Sequence, residues 1–196
     1  YNITSGGTIG SAVLAFGLRA HANFTTPAGS YLLAADPSGG TSLQIYDGAT
    51  WAVASITGMT LNTVVSIAVA KRRLWFAHRN SSTAYYLPVS SIAGAATAFP
   101  LGQVFSRGGA LVAIGNWTID GGDGQDDYTV FISSNGEVAL YKGTDPSTSA
   151  TFTLVGVYYI GEPLNYQCLA KFGGDLLYLA QNGLFPVDPP KRIRLN

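Results

Sequence analysis

The stretch YTVFISSNGEVALY, residues 128–141, decides the fold. Tyr128 to Ser133 is a run of β-branched and aromatic residues, which favour a pleated strand. Ser134-Asn135-Gly136 follows as a polar turn, and Glu137 to Tyr141 leaves it as a second strand. Asn-Gly supplies the positive backbone angles of a tight type I′ hairpin, so this segment is read as one.

The same hairpin recurs three more times. Tyr31–Ala35 leads through Asp36-Pro37-Ser38-Gly39-Gly40 into Leu43–Tyr46. Leu74–Ala77 leads through His78-Arg79-Asn80-Ser81-Ser82 into Ala84–Leu87, and Leu176–Ala180 through Gln181-Asn182-Gly183 into Leu184–Val187. Asn182-Gly183 is again a type I′ signal. The first strands start at 31, 74, 128 and 176, so the unit repeats at intervals of 43, 54 and 48 residues. Propeller blades of four strands recur at about 40–50 residues. Tyr46-Asp-Gly and Tyr141-Lys-Gly end strands alike and keep the register. One blade cannot bury both its faces, and the next blade stacked on it does so.

The expected fold is therefore all-β, a β-propeller-like stack of three to four antiparallel blades, read as a piece of a larger ring. Residues 1–30 are taken as an N-terminal segment or a strand completing a neighbouring blade. Residues 31–188 are the blades, and 189–196 a basic tail. A β-sandwich, which also has short strands every 8–12 residues, is the competing architecture. Helical periodicity is nearly absent: SSIAGAATA, residues 90–98, offers at most one turn. The opening Tyr1-Asn2-Ile3-Thr4 has neither an initiator Met nor a basic and apolar leader, and reads as a fragment or a processed product.

Composition narrows the function. Charged residues are 11% of the chain and hydrophobic residues 47%, so little charge is available to cover a free surface. Eleven basic and eleven acidic residues give no net charge, and hence no general attraction for nucleic acid. Lys191, Arg192 and Arg194 form a basic cluster at the C-terminus, read as a solvated tail or as a contact for phosphate or an acidic partner. No apolar run reaches the length of a membrane span. The single Cys168 excludes an intrachain disulfide and is read as a buried, inert thiol.

Candidate chemistry is sparse. Asp120, Asp123, Asp126 and Asp127 lie among glycines, where a plain loop competes with a weak calcium site; the order of an EF-hand is missing. His21 and His78 have no cysteine or glutamate at zinc-ligand spacing, and no Gly-x-Ser-x-Gly elbow exists. Glu137 and Glu162, the carboxylates a glycosidase would draw on, stand beside turns and read as surface groups. The chain is not expected to be an enzyme or to carry a cofactor. Trp51, Trp75, Trp117 and Tyr141 are taken as packing or interface residues. A sugar-binding face on the tryptophans is the alternative.

A longer pattern joins these pieces. Arg73-Leu-Trp-Phe76, Tyr86-Leu-Pro-Val89, Ala93-Gly-Ala-Ala-Thr97, Phe99-Pro-Leu-Gly102 and Arg107-Gly-Gly109 occur in that order. They are followed by Asp120–Asp127, Val130–Glu137, Tyr141–Pro146, Val155–Tyr158, Ile160–Pro163 and Lys171–Asp175. From Arg73 to Val187 the chain resembles the β-propeller structural proteins of tailed-bacteriophage short tails and head-to-tail connections. The resemblance implies a virion tail protein, a nozzle or hub subunit assembling with itself into a symmetric ring. It further implies contacts with other tail or connector proteins and transient contact with passing DNA, and it brings no catalytic residue.

Overall fold

The computed structural model describes residues 20–120, 125–173 and 175–187, with the backbone alone at 119, 120, 125 and 126. The chain forms four successive antiparallel sheets, the blades of a β-propeller. Blade one is β1 (Ala20–Thr26), β2 (Gly29–Ala35), β3 (Gln44–Tyr46) and β4 (Trp51–Val53). The short β5 (Ile56–Thr57) and a 3-10 turn at Leu61–Thr63 lead into blade two. That blade has β6 (Val64–Ala70), β7 (Arg73–His78), β8 (Thr83–Tyr86) and β10 (Thr97–Pro100), while β9 (Gly94–Ala95) pairs in parallel with β5. Blade three is β11 (Leu111–Asp120), β12 (Gln125–Ser133), β13 (Glu137–Gly143) and β14 (Phe152–Tyr159). Blade four has three strands among the described residues: β15 (Leu169–Phe172), β16 (Asp175–Ala180) and β17 (Gly183–Pro186).

The four recurring hairpins are the second and third strands of the four blades, which is why their spacing follows the blade repeat. Each blade therefore begins one strand earlier than the hairpin count suggests. Residues 20–30, set apart in the sequence reading as an N-terminal segment, supply β1 and the turn into β2. The 90–98 stretch is not helical; it contributes β9 and the start of β10.

Two turn assignments also change. Asn135 does not take a positive φ and Gly136 does (+81°), so the β12–β13 connection is a type I turn ending in a glycine bulge, not type I′. Between β16 and β17 the loop is Gln181-Asn182, and Gly183 is already paired with Ala180. Both positive angles of a type I′ turn occur instead at Lys71 (50°) and Arg72 (58°), joining β6 to β7.

Three apolar seams hold the blades together. Phe24, Leu33, Ile67, Leu74 and Phe76 fill the seam between blades one and two. Trp75, Tyr86, Ile114, Phe131 and Tyr141 fill that between two and three. Trp117, Val130, Ile132, Leu176 and Tyr178 fill that between three and four. Alternation along each strand is the cause, since a blade packed on both sides needs apolar residues on both faces. The first strands β1, β6, β11 and β15 converge on the axis, where Ala20, His21, Ile67, Ile114, Tyr166 and Leu169 surround a groove of about 400 Å³. At one seam a missing side chain allows the approach: a Cβ on Gly115 would stand 2.9 Å from Leu169 Cδ1.

Candidate functional site

The sequence-predicted residues fall in different places. Trp75, 1% exposed, is the hub of the seam between blades two and three, with ring centres at 5.0 Å from Tyr86, 5.4 Å from Phe131 and 5.8 Å from Phe152. Tyr141 belongs to the same cluster, its ring stacked 5.1 Å from Phe152. Trp117 is buried one seam further on. Trp51 is half-buried on β4, tilted against Tyr46 at 5.2 Å, and belongs to no buried seam. Burial of Trp75 and Trp117 leaves neither ring face open to stack on a sugar.

The four aspartates do not form one loop. Asp120 closes β11 and is paired with Gln125, and Asp126 is paired with Ile119, so the hairpin runs further than the glycines suggest. Asp123 lies outside the described residues. Asp127 accepts hydrogen bonds from Thr118 Oγ1 at 2.7 Å and Lys71 Nζ at 3.1 Å. The Thr118 hydroxyl first, and the Lys71 ammonium beside it, hold its carboxyl below the usual carboxylate range. Among the described residues no three His, Cys, Asp or Glu side chains come together. Lys191, Arg192 and Arg194 also lie outside the described residues.

Two polar residues behave differently from their sequence reading. Glu137 is not a surface group: it is 4% exposed and accepts from Ser106 Oγ at 2.6 Å and Arg107 N at 2.7 Å. Its place just past the Asn135-Gly136 turn hid this, since the partners come from 30 residues upstream. His78 ends β7, is buried, and pairs through Nδ1 with Thr63 Oγ1 at 3.0 Å. Burial lowers its pKa, so it stays neutral. Glu162 is exposed. Cys168 is buried in the seam between blades three and four, which pushes its thiol up to about 12. A thiol of that kind is no nucleophile.

The richest polar assembly is at one rim of the blades. A cavity of about 620 Å³ is bordered there by Asn23, Thr25, Lys71, Arg72, Asn116 and Asp127. Lys71 and Arg72 are set by the strained β6–β7 turn, which costs on the order of 1 kcal/mol or more for each non-glycine residue. Arg72 is clasped to Ser90, another positive-φ residue, through Arg72 Nη2 to Ser90 Oγ (3.0 Å) and Ser90 N to Arg72 O (2.8 Å). The sequence carries no glycine or asparagine to announce this turn. With Lys71 paired to Asp127 and Arg72 hydrogen-bonded to the uncharged Ser90, the rim keeps the positive charge of Arg72.

The least satisfied surface is the far face of blade four. Strand pairing puts Ala170, Phe172, Leu177, Leu179, Leu184 and Pro186 on one side, opposite the side that packs on blade three. Phe172 is 73% exposed and Leu184 60%. Among the described residues blade four is not closed on blade one, because such closure would cover these side chains.

No protein-family model matches the sequence, and no curated protein matches it. Among solved structures, the chain is similar to BBS1N as crystallised in complex with ARL6DN, with a TM-score of 0.54 at 15% identity. The match covers 85% of this chain and 46% of that one, so the chain spans about half the length of its structural neighbour. At that identity the likeness shows the fold, a β-propeller.

Proposed function

We propose that this chain is a structural subunit of a phage tail, a nozzle or hub component whose blades act as a rigid assembly scaffold. The observation that carries the assembly role is the open apolar face of blade four, with Phe172 and Leu184 mostly exposed. Such a face is costly in water, at about 25 cal/mol per Å² of apolar area, and marks a surface meant for another protein. Low charge and zero net charge act in the same direction. The tail assignment is supported by the ordered resemblance from Arg73 to Val187, which spans blades two to four. Scaffold function also accords with the described polar groups, whose nearest neighbours are structural: Glu137 ties a connection, and Asp127 ties two blades. Immunogold labelling of purified virions with an antibody to the chain tests the proposal. Label at the tail is expected, and virions without label overturn it.

A further inference from the structure

Backbone strain collects at the rim cavity. Among the described residues four other than glycine hold a positive φ, and three of them stand together there: Lys71, Arg72 and the Ser90 clasped to it. Glycine would sit at position 72 without that strain, so the guanidinium is held there at a cost in stability. Strain of this kind gathers at binding sites, where a side chain must be aimed. What the turn presents is a positive charge. Arg72 donates to the Ser90 hydroxyl and, among the described residues, to no carboxylate.

A second irregularity borders the same space. Asn116 lines the cavity from β11, and its Oδ1 is enclosed without a hydrogen-bond partner in the chain. Enclosed acceptors are nearly always satisfied, so this one calls for a donor from outside the chain. Asp127, also on the wall, uses one lone pair of each oxygen, on Thr118 and on Lys71, and keeps the others for further donors. Asn23 on β1 adds an exposed amide, and Val69 and Val89 give the cavity an apolar wall.

These groups define a class of ligand. A guanidinium takes a carboxylate or a phosphate through parallel N–H bonds. Neutral amides and a partly used carboxylate take hydroxyls, and the apolar wall takes the C–H face of a sugar ring. Asp127 opposes a ligand charged along its whole length, such as a nucleic-acid strand. The volume of about 620 Å³ lies within the range of small-molecule sites. We infer that the rim cavity binds an acidic saccharide, its carboxylate on Arg72 and its hydroxyls on Asn116, Asp127 and Asn23. The site is apart from the buried tryptophans, and it does not rest on the tail assignment.

Isothermal titration calorimetry of the full chain tests the inference with digalacturonate against galabiose and sialyl-lactose against lactose. In each pair only the first sugar carries a carboxylate. The expected result is saturable binding of at least one acidic sugar, about tenfold or more tighter than its neutral counterpart, because a charge-assisted hydrogen bond is lost without the carboxylate. Arg72→Gly should lose the same factor while still unfolding cooperatively in urea. Arg72→Gln takes its place if the glycine variant does not fold. No binding of either acidic sugar overturns the inference, as does equal affinity for the acidic and neutral members. An affinity in the Arg72 variant equal to that of the unaltered chain overturns it too. So does tighter binding of a single-stranded oligonucleotide that the Arg72 variant loses, which assigns the guanidinium to phosphate.

Discussion

Lys71 Nζ lies 3.1 Å from Asp127 Oδ2, tying the first turn of blade two to the second strand of blade three across their seam. Both side chains are partly open to water, 21% and 31% exposed, so the pair itself is worth about 0–1 kcal/mol. Its effect is visible in pH dependence. The folded pKa of Asp127 is depressed, so its contribution is full above the unfolded value of about 3.9 and is lost as pH falls through the folded value. Urea midpoints measured from pH 6 down to pH 2 should fall less steeply for Asp127→Asn than for the unaltered protein. Equal slopes would show that the ion pair and the Thr118 hydrogen bond do not stabilise the charged form.

Trp75 should be the most sensitive aromatic residue. It is fully enclosed by Tyr86, Phe99, Phe131 and Phe152, which come from two blades. Truncation to alanine removes the ring and leaves a cavity that β-strands cannot collapse to fill, at a cost of about 3–5 kcal/mol. Trp51→Ala, at a half-buried edge position, should cost about 1 kcal/mol or less in the isolated chain. Urea denaturation of the two variants, followed by circular dichroism, should put the Trp75→Ala midpoint about 1–2 M below that of Trp51→Ala. A Trp75→Ala midpoint near that of Trp51→Ala would place the core elsewhere.

Arg72→Gly should stabilise the protein. Arg72 holds φ at 58°, where a side chain is strained and glycine is not. The relief is about 1 kcal/mol, offset in part by loss of an exposed hydrogen bond to Ser90 Oγ. A raised urea midpoint is the expected result. A lowered one would mean that the guanidinium contacts outweigh the backbone strain.

That turn also shows where the sequence was legible and where it was not. Hairpins β2–β3, β7–β8, β12–β13 and β16–β17 were visible because their turns are rich in Gly, Asn, Asp or Ser, residues with a local reason to bend the chain. The β6–β7 turn is Lys-Arg, with no residue that announces a bend, so the sequence does not mark off the first strand of blade two, Val64–Ala70. Trp75 and Tyr141 both lie on strands, where apolar side chains alternate between the two faces, and both belong to the seam between blades two and three. The burial of Glu137 does not show in the sequence, because its partners Ser106 and Arg107 lie in a connection with no strand pattern. The open face of blade four was invisible too, since a sequence shows alternation but not which of two apolar sides has a neighbour.

Glu137 offers the sharpest test of how the blades are connected. Its carboxylate takes the Ser106 hydroxyl and the Arg107 N–H, while Asn135 Nδ2 donates to Arg107 O at 2.7 Å and the Arg107 guanidinium lies 4.2 Å from the Tyr159 ring centre. The connection from blade two to blade three is thus fastened to blade three by this buried acid, by Asn135, and by the Ala110–Ser134 hydrogen bonds. Replacing Glu137 with alanine leaves a buried N–H and a hydroxyl without their acceptor, a loss of about 2–4 kcal/mol. The segment should then loosen locally at Ser106-Arg107, while Leu101 and Phe105 on its near side and Leu111 on its far side stay buried in the seam around Trp75. Limited trypsin digestion reads this directly: Arg107 should resist cleavage in the unaltered protein and become an early cut site in Glu137→Ala. Glu137→Gln, which keeps a carbonyl acceptor for one donor, should fall between the two. Slow cleavage in all three proteins would show that the Tyr159 and Asn135 contacts hold the connection without the acid.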